Sequence, residues 1–410
     1  MSPKTSQIYL DNGTTTRIDP LVSGEMSAFE REGLGLGVPA QAHSRGRAAR
    51  KALNASRERI ARCLGIGGGG DTDAGVDVDE KEIVFTSGAT EANNLALMGA
   101  AQALRRRGNH IITSSIEHPS VLLTCKALER QGFAVTYVPV NNEGIVDPAD
   151  VAGAIRDNTI LISIILADSE VGAIQPIRNI ADVARSREIP FHTDAAQAGG
   201  KIPVHPADLG VDMLSLSAHK FHGPKGVGVL YVRSGTRITP SMHGGPDETT
   251  LRPGTLNVAN CVGMAKALEL ATDNLAGDIR RVASLRDRLR DGLTSEPCCA
   301  TPNGPADDRD RLPGALNLRF EGGRAGVGIE IEAESLILNL DLAGVCVGAG
   351  NPCASGAQEP SYVLRAMGLS PAEASSSVRF CVARDTTPAE IDAAVERLCT
   401  VTLQLRSVPV

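Results

Sequence analysis

The chain of 410 residues contains no tryptophan, and aromatic residues of all kinds make up 3% of it. Among its nine cysteines there is no C-x-x-C spacing, which disfavours a zinc ribbon or a thioredoxin-like dithiol. No apolar run approaches the roughly 20 residues that a membrane span requires. The longest largely apolar stretch, 160–167, is far shorter, so no membrane partner is expected. Residues 1–10 hold no apolar block of the secretory type. Nor is there an excess of positive charge: the formal net charge is −7, which argues against nucleic-acid binding as the main task. The glycine run 67–70 leads into the acidic stretch 71–80 and not into Gly-Lys-Ser/Thr, so it reads as a surface insertion and not a phosphate loop. No internal repeat is present. A further absence is regional. No histidine follows His243 and no lysine follows Lys266. Any chemistry in the last third must therefore use cysteine, arginine, serine or carboxylates.

What is there is an ordinary globular composition, 42% hydrophobic and 22% charged, long enough for two or three domains. The scattered cysteines, odd in number, suit a reducing, cytoplasmic setting in which most are buried thiols. Apolar and β-branched runs predict strands over 82–86, 110–114, 134–138, 160–166, 189–193, 213–216 and 227–232. Helical patterns over 91–107, 121–131 and 180–187 lie between them. This alternation predicts a mostly parallel seven-stranded sheet between helices, in an order the pattern does not reveal. From about residue 259 long helices dominate, over 259–272 and 278–293, and 296–314 reads as a surface loop. Thr387-Pro388-Ala389-Glu390 forms a capping box that opens a last helix. We read a large domain over 18–264 and a smaller α+β domain over 265–410, joined by 1–17.

Ligands of open α/β sheets sit beyond the carboxyl ends of the strands. Ser87-Gly88-Ala89-Thr90-Glu91 follows the first strand and could present backbone N–H groups to a phosphate at a helix N-terminus. Glu117-His118-Pro119, Asp168-Ser169-Glu170, Asp194 with Gln197, and Ser217-Ala218-His219-Lys220 follow other strands. Each could be an ordinary loop residue. Together they supply a phosphate cradle, an aromatic ring, a carboxylate and a lysine, the parts that a phosphorylated aldehyde such as pyridoxal 5′-phosphate requires.

Beyond this set, the chain resembles the cysteine desulfurases of the class V aminotransferase family, which are fold-type I pyridoxal-phosphate enzymes. The matching segments run nearly end to end: Tyr9-Leu10-Asp11, the stretch 82–91, Glu117-His118, His192-Thr193-Asp194-Ala195-Ala196-Gln197, and Ser217-Ala218-His219-Lys220. They continue with Gly223-Pro224-Lys225-Gly226, Met242-His243-Gly244-Gly245, Gly254-Thr255, Cys353, Glu359-Pro360-Ser361-Tyr362-Val363-Leu364-Arg365-Ala366 and Val378-Arg379-Phe380. The resemblance implies that Lys220 forms the Schiff base and moves the Cα proton. It implies that His118 stacks on the ring and aids proton transfer, that Asp194 pairs with the ring nitrogen, and that Gln197 and Ser169 lie at the ring oxygen. Ala89, Thr90, Ser217 and His219 would hold the phosphate. Thr255 would reach the neighbouring subunit's phosphate, making the expected state a homodimer. Arg379 would clamp the carboxylate of L-cysteine, and Cys353 would receive sulfur as a persulfide and pass it to an acceptor. The segment around Cys353 resembles that of desulfurases serving iron–sulfur cluster assembly. No metal is implied among the site residues.

The chain departs from the family pattern near these residues. Asp168-Ser169-Glu170 replaces Asn-Asn-Glu, Gly37-Val38-Pro39 replaces Gly-Asn-Pro, Asn12-Gly13-Thr14 replaces Tyr-x-Ala, and Asn351-Pro352 replaces Ser-Ala before Cys353. These departures keep an alternative open: a different substrate or reaction on the same cofactor, such as a C–S or C–Se lyase or an enzyme of specialised metabolism.

Overall fold

The chain is seen in a computed structural model that describes residues 7–66, 82–245, 250–322, 329–348 and 360–407. The glycine-rich insertion read over 67–80 lies outside these residues, apart from which the alternation of strand and helix is realised. Seven strands form one sheet: β1 (Ile83–Thr86), β2 (His110–Ser114), β3 (Ala134–Val138), β4 (Thr159–Ser163), β5 (Phe191–Asp194), β6 (Met213–Ser217) and β7 (Gly228–Val232). Their order is β1-β7-β6-β5-β4-β2-β3. Only β7 runs against its neighbours, pairing antiparallel with both β1 and β6. The sheet is covered on both faces, so β1, β2, β4, β5, β6 and β7 are buried at every position. Polar residues inside it are paired across strands. His110 lies 2.8 Å from Thr159 Oγ1 and 2.8 Å from Thr136 Oγ1, and burial pushes it down to about 4, so it stays neutral.

Two helices of the sheet layer matter for function because their first turns lie at the carboxyl edge: α1 (Ala89–Leu104) after β1 and α2 (Pro119–Arg130) after β2. The turn before α1 is made possible by two glycines. A Cβ on Gly228 would lie 2.6 Å from the Cα of Gly88, so β7 and this turn approach as only glycine allows.

The C-terminal region has its own core, built from Leu285, Leu289, Leu316, Phe380, Ile391 and Leu398 among others. It contains an antiparallel sheet of β8 (Thr301–Asn303), β9 (Ala315–Arg319) and β10 (Ser377–Cys381). Here the reading of 296–314 as loop is corrected. The stretch contains β8 and a short 3-10 turn, Asp308–Asp310, because Asn303 Nδ2 is buried against Asn317 Oδ1 at 2.7 Å and extends the sheet. The expected capping box is present: Thr387 N–H donates to Glu390 Oε2 at 2.8 Å, and Glu390 N–H to Thr387 Oγ1 at 3.3 Å. The N-terminal strand Ile8–Tyr9 pairs in parallel with Val345–Cys346, and Ile8 and Leu10 belong to this second core. Among the described residues no helix is long and apolar enough to cross a membrane.

Candidate functional site

The site forms where the carboxyl edge of the large sheet meets β10 and the N-terminal segment. Lys220 ends the turn Ala218–Lys220 that follows β6. Its Nζ donates to the carbonyls of Gly13 at 2.7 Å and Thr14 at 2.8 Å. Burial, and then the nearby charges of Lys201 and Arg379, push its ammonium down to about 7. A substantial fraction of Lys220 is thus an uncharged amine at neutral pH, the form that attacks a carbonyl carbon. Asp194 closes β5, buried, with Oδ1 accepting the Ala196 N–H at 2.9 Å and Oδ2 the Asn93 amide at 2.7 Å.

Gln197 is held at both ends. Its Nε2 donates to the Gly13 carbonyl at 2.9 Å and its Oε1 accepts from Lys201 Nζ at 3.1 Å. His118 is the N-cap of α2, with its ring exposed at the sheet edge and Nδ1 accepting the Ser120 N–H at 3.1 Å. At the start of α1 no side chain caps the helix, so the N–H groups around Ala89 and Thr90 stay available to an anion, and Ser217 Oγ lies near Gly88. His219 places Nδ1 3.1 Å from Thr15 Oγ1 and is pushed down to about 4, mainly by burial, which leaves Nε2 for a further partner.

Arg379 sits in mid-β10, buried among acceptors. Nη2 donates to Asp11 Oδ1 at 2.9 Å and Thr14 Oγ1 at 2.6 Å, Nη1 donates to the Ser169 carbonyl at 3.3 Å, and Nε is buried with no partner. Lys220, Gln197, Lys201, Ser169 and Arg379 line one cleft. His118 and Asp194 are not part of its lining. Thr255 is exposed on the large domain. Cys353 lies outside the described residues, but its described neighbours on either side touch the site. Gly348 pairs with Arg379 through two backbone hydrogen bonds of 3.1 Å. Tyr362 donates its hydroxyl to the Glu117 carbonyl at 2.7 Å, beside His118.

The family departures acquire roles here. Asn12 is buried and donates from Nδ2 to the Cys381 carbonyl at 2.9 Å, stitching the N-terminal segment to β10. Asp168 accepts the N–H groups of Glu170, Val171, Gly172 and Ala173, at 2.6 to 3.3 Å, and so shapes the turn that presents Ser169. Thr14 is a direct partner of Arg379. Val38 does not line the cleft. Sequence reasoning missed Lys201, Asn93 and Ser120, and it gave Tyr362 no role beyond its place in the motif 359–366. Asn93 left a trace: it is a polar residue on the helix stripe that also carries Ala92, Ala96 and Ala100, all buried. Of the other cysteines, burial pushes Cys125 up to about 12, and burial with Asp341 raises Cys346, so neither is a ready thiolate.

An amine of lowered pKa, a buried carboxylate at the end of β5, an exposed ring and an uncapped helix start meet the demands of a phosphorylated pyridine aldehyde. The chain belongs to the class V aminotransferase family, whose "Aminotransferase class-V" profile matches residues 8–394. Pyridoxal 5′-phosphate is accordingly its cofactor. The chain is 42% identical to the cysteine desulfurase IscS of Dictyoglomus turgidum, over 98% of this chain and 96% of that protein. Among solved structures it is similar to a NifS-like protein, with TM-score 0.85, 35% identity and coverage of 96% and 99% of the two chains. It is also similar to SspA in complex with cysteine, with TM-score 0.76, 33% identity and coverage of 92% and 99%.

Proposed function

We infer that this protein is a pyridoxal-phosphate-dependent cysteine desulfurase. L-Cysteine is converted to L-alanine while its sulfur passes to the Cys353 thiol. Written as a balance, L-cysteine and enzyme–SH give L-alanine and enzyme–S–SH, and an acceptor then takes the outer sulfur. When bound, the cofactor supplies an electron sink for charge developing at the substrate Cα. The observation that carries the reading is the arrangement around the segment 349–359. Its described flanks rest on Arg379 at one end and on the backbone of Glu117, beside His118, at the other. Both described flanks of the segment that carries Cys353 in sequence therefore sit at the site where substrate would be held.

The chain's own groups have distinct tasks in this proposal. Lys220 would bond the cofactor and move the proton at Cα, which its lowered pKa suits. Asp194 would pair with the ring nitrogen. Gln197, and Ser169 with its shorter side chain, serve the ring oxygen. Ala89, Thr90, Ser217 and His219 hold the phosphate. Arg379 takes the substrate carboxylate, for which its unpartnered Nε is suited once Asp11 or Thr14 yields. The exposed Thr255 fits a role across a homodimer. A cytoplasmic setting and a sulfur-acceptor protein, with iron–sulfur assembly as one destination, belong to the same proposal. So does the division at 18–264 and 265–410 with 1–17. The sharing of Ile8 and Leu10 with the second core supports it, although the helix Val258–Asp273 keeps its contacts with the large core as far as Ala271.

The test is a product assay with the holoenzyme, L-cysteine and a reductant. Alanine and sulfide are expected in equal amounts, and Cys353→Ser should abolish both while cofactor loading persists. If Cys353→Ser kept turning cysteine over, the chain would be a lyase acting without a persulfide.

A further inference from the structure

His118 is held by a short chain of hydrogen bonds that begins at Asp194. Asn93, fully buried in α1, uses its amide nitrogen twice, on Asp194 Oδ2 at 2.7 Å and on Ser120 Oγ at 2.8 Å. Its own Oδ1 is buried with no partner. Ser120 Oγ lies 2.7 Å from His118 Nδ1, and the Ser120 N–H points to the same ring atom at 3.1 Å.

The direction of this chain follows from its acidic end. An ionised carboxylate only accepts, so Asn93 must turn its NH2 group toward Asp194 and not its oxygen. The second amide proton of Asn93 then goes to Ser120 Oγ. With its oxygen already receiving, the serine hydroxyl directs its own proton to the remaining acceptor, His118 Nδ1. That atom accepts two hydrogen bonds, and the proton of the neutral imidazole must reside on Nε2. Protonating Nδ1 would break both bonds. The unpartnered Asn93 Oδ1 shows what this arrangement costs: the amide forgoes one hydrogen bond in the core to donate two in fixed directions.

We propose that Asn93 and Ser120 are positioning residues that fix His118 as the Nε2–H tautomer and keep it uncharged while it works. The proposal rests on the pyridoxal-phosphate reading for His118's place beside the cofactor ring. It adds that His118 offers a proton from Nε2 and does not collect one at Nδ1. It also makes one amide serve two site residues, since Asn93 holds Asp194 and the histidine together.

The surroundings of His118 are mixed. Desolvation by the surrounding protein opposes a charge on the ring, Asp194 favours one, and any positive charge on Lys220 opposes it. The neighbouring Glu117 carboxyl is buried and pushed up to about 8, and it adds little negative charge at neutral pH. Tyr362, packed on the Glu117 carbonyl, is likewise raised and neutral. The net direction is a ring held below the ordinary histidine range.

The experiment is a pH titration of holoenzyme labelled with 13C,15N-histidine, with the His118 signals assigned by their loss in His118→Asn. The parent should show neutral, Nε2-protonated His118 through the neutral range. Ser120→Ala should raise the titration midpoint by about 0.5–1 pH unit, as loss of one hydrogen bond implies, and admit the Nδ1–H form. Ser120→Thr should restore the parent spectrum. Asn93→Ala should move the midpoint the same way, with no added shift on top of Ser120→Ala. The acid limb of kcat/KM should follow the midpoint. If Ser120→Ala loads no cofactor, Ser120→Cys, a weaker donor, should give a smaller shift of the same sign. An Nδ1–H parent, an unmoved midpoint in the serine variants, or additive Asn93 and Ser120 effects would overturn the proposal. These readouts concern one ring's protons, so they fail separately from the alanine assay, which judges the desulfurase reading.

Discussion

Two lysines share the cleft, and only one was visible as a candidate from its motif. Lys201 is half-buried, holds Gln197 Oε1 and is the largest charge contribution lowering Lys220. Lys220 bonds a carbonyl carbon only as the free amine, so uptake of pyridoxal phosphate by the apoenzyme should rise through about pH 7. Lys201→Met should move that midpoint upward and Lys201→Arg should leave it in place, read from growth of the cofactor's visible absorbance. Lys220→Ala should show no such band. Buried carboxyls give a second pH effect, of opposite sense. Glu117 and Glu170 are raised by burial from 4.5 to about 8 and about 7. The folded chain keeps protons that the unfolded chain has released, so stability is fullest below pH 4.5 as far as these groups are concerned. It falls as pH rises toward 8. Glu117→Gln, which keeps an acceptor for Ser114 Oγ and the Ile165 N–H, should flatten the fall in melting temperature between pH 6 and 8.

Among the elements, what the sequence pattern revealed was local. β2 and β3 match their predicted spans to the residue, and the remaining sheet strands lie within a few positions: burial on both faces enforces near-continuous apolar runs in β2 and the inner strands, and the half-buried edge strand β3 is marked by its β-branched and aromatic residues. The strand order was not legible, since pairing between β1 and β7 depends on contacts far apart in the chain. The lysine, the Asp194 carboxylate and the helix starts were legible because each follows a strand end. The pairing of Arg379 with Asp11, 368 residues away, was not. Nor was the small strand β8, whose stretch is rich in turn residues and is ordered by Asn303. Tyr362 shows how a short element can govern a reaction it does not join. Tyr362→Phe removes its hydrogen bond to the Glu117 carbonyl, worth about 1 kcal/mol. Desulfuration should fall several-fold in this variant with the affinity for pyridoxal phosphate unchanged. Equal loss of both would mean that Tyr362 supports the cofactor pocket instead.

In the whole molecule, the site belongs to neither core alone. Lys220, Asp194 and His118 come from the large sheet, Arg379 from the small one, and Gly13 and Thr14 from a segment whose strand Ile8–Tyr9 is paired with the small domain. A change in the angle between the two cores would alter the contacts of Gly13 and Thr14 with Lys220, and of Arg379 with the Ser169 carbonyl, before it disturbed the grip of Asp11 on Arg379. The exposed Thr255 belongs to this level too. If it completes a neighbour's phosphate site, Thr255→Ala should lower cofactor retention on dialysis by about tenfold, the loss expected of one hydrogen bond to a charged group. Sedimentation should still report a dimer.

The contacts of Asp11, Gly13 and Thr14 also set an order of events during synthesis. These residues leave the ribosome well before their partners Lys220 and Arg379, which follow some two hundred and more than three hundred and fifty residues later. A nascent chain that has completed the large sheet owns Lys220 and Asp194 but lacks the arginine and the strand Val345–Cys346 that seats its own beginning. Such a chain has an amine without a carboxylate clamp. A prematurely ended product therefore acquires the reactive lysine without the means to orient an amino acid on it, and full assembly of the cleft reports that translation has passed Arg379.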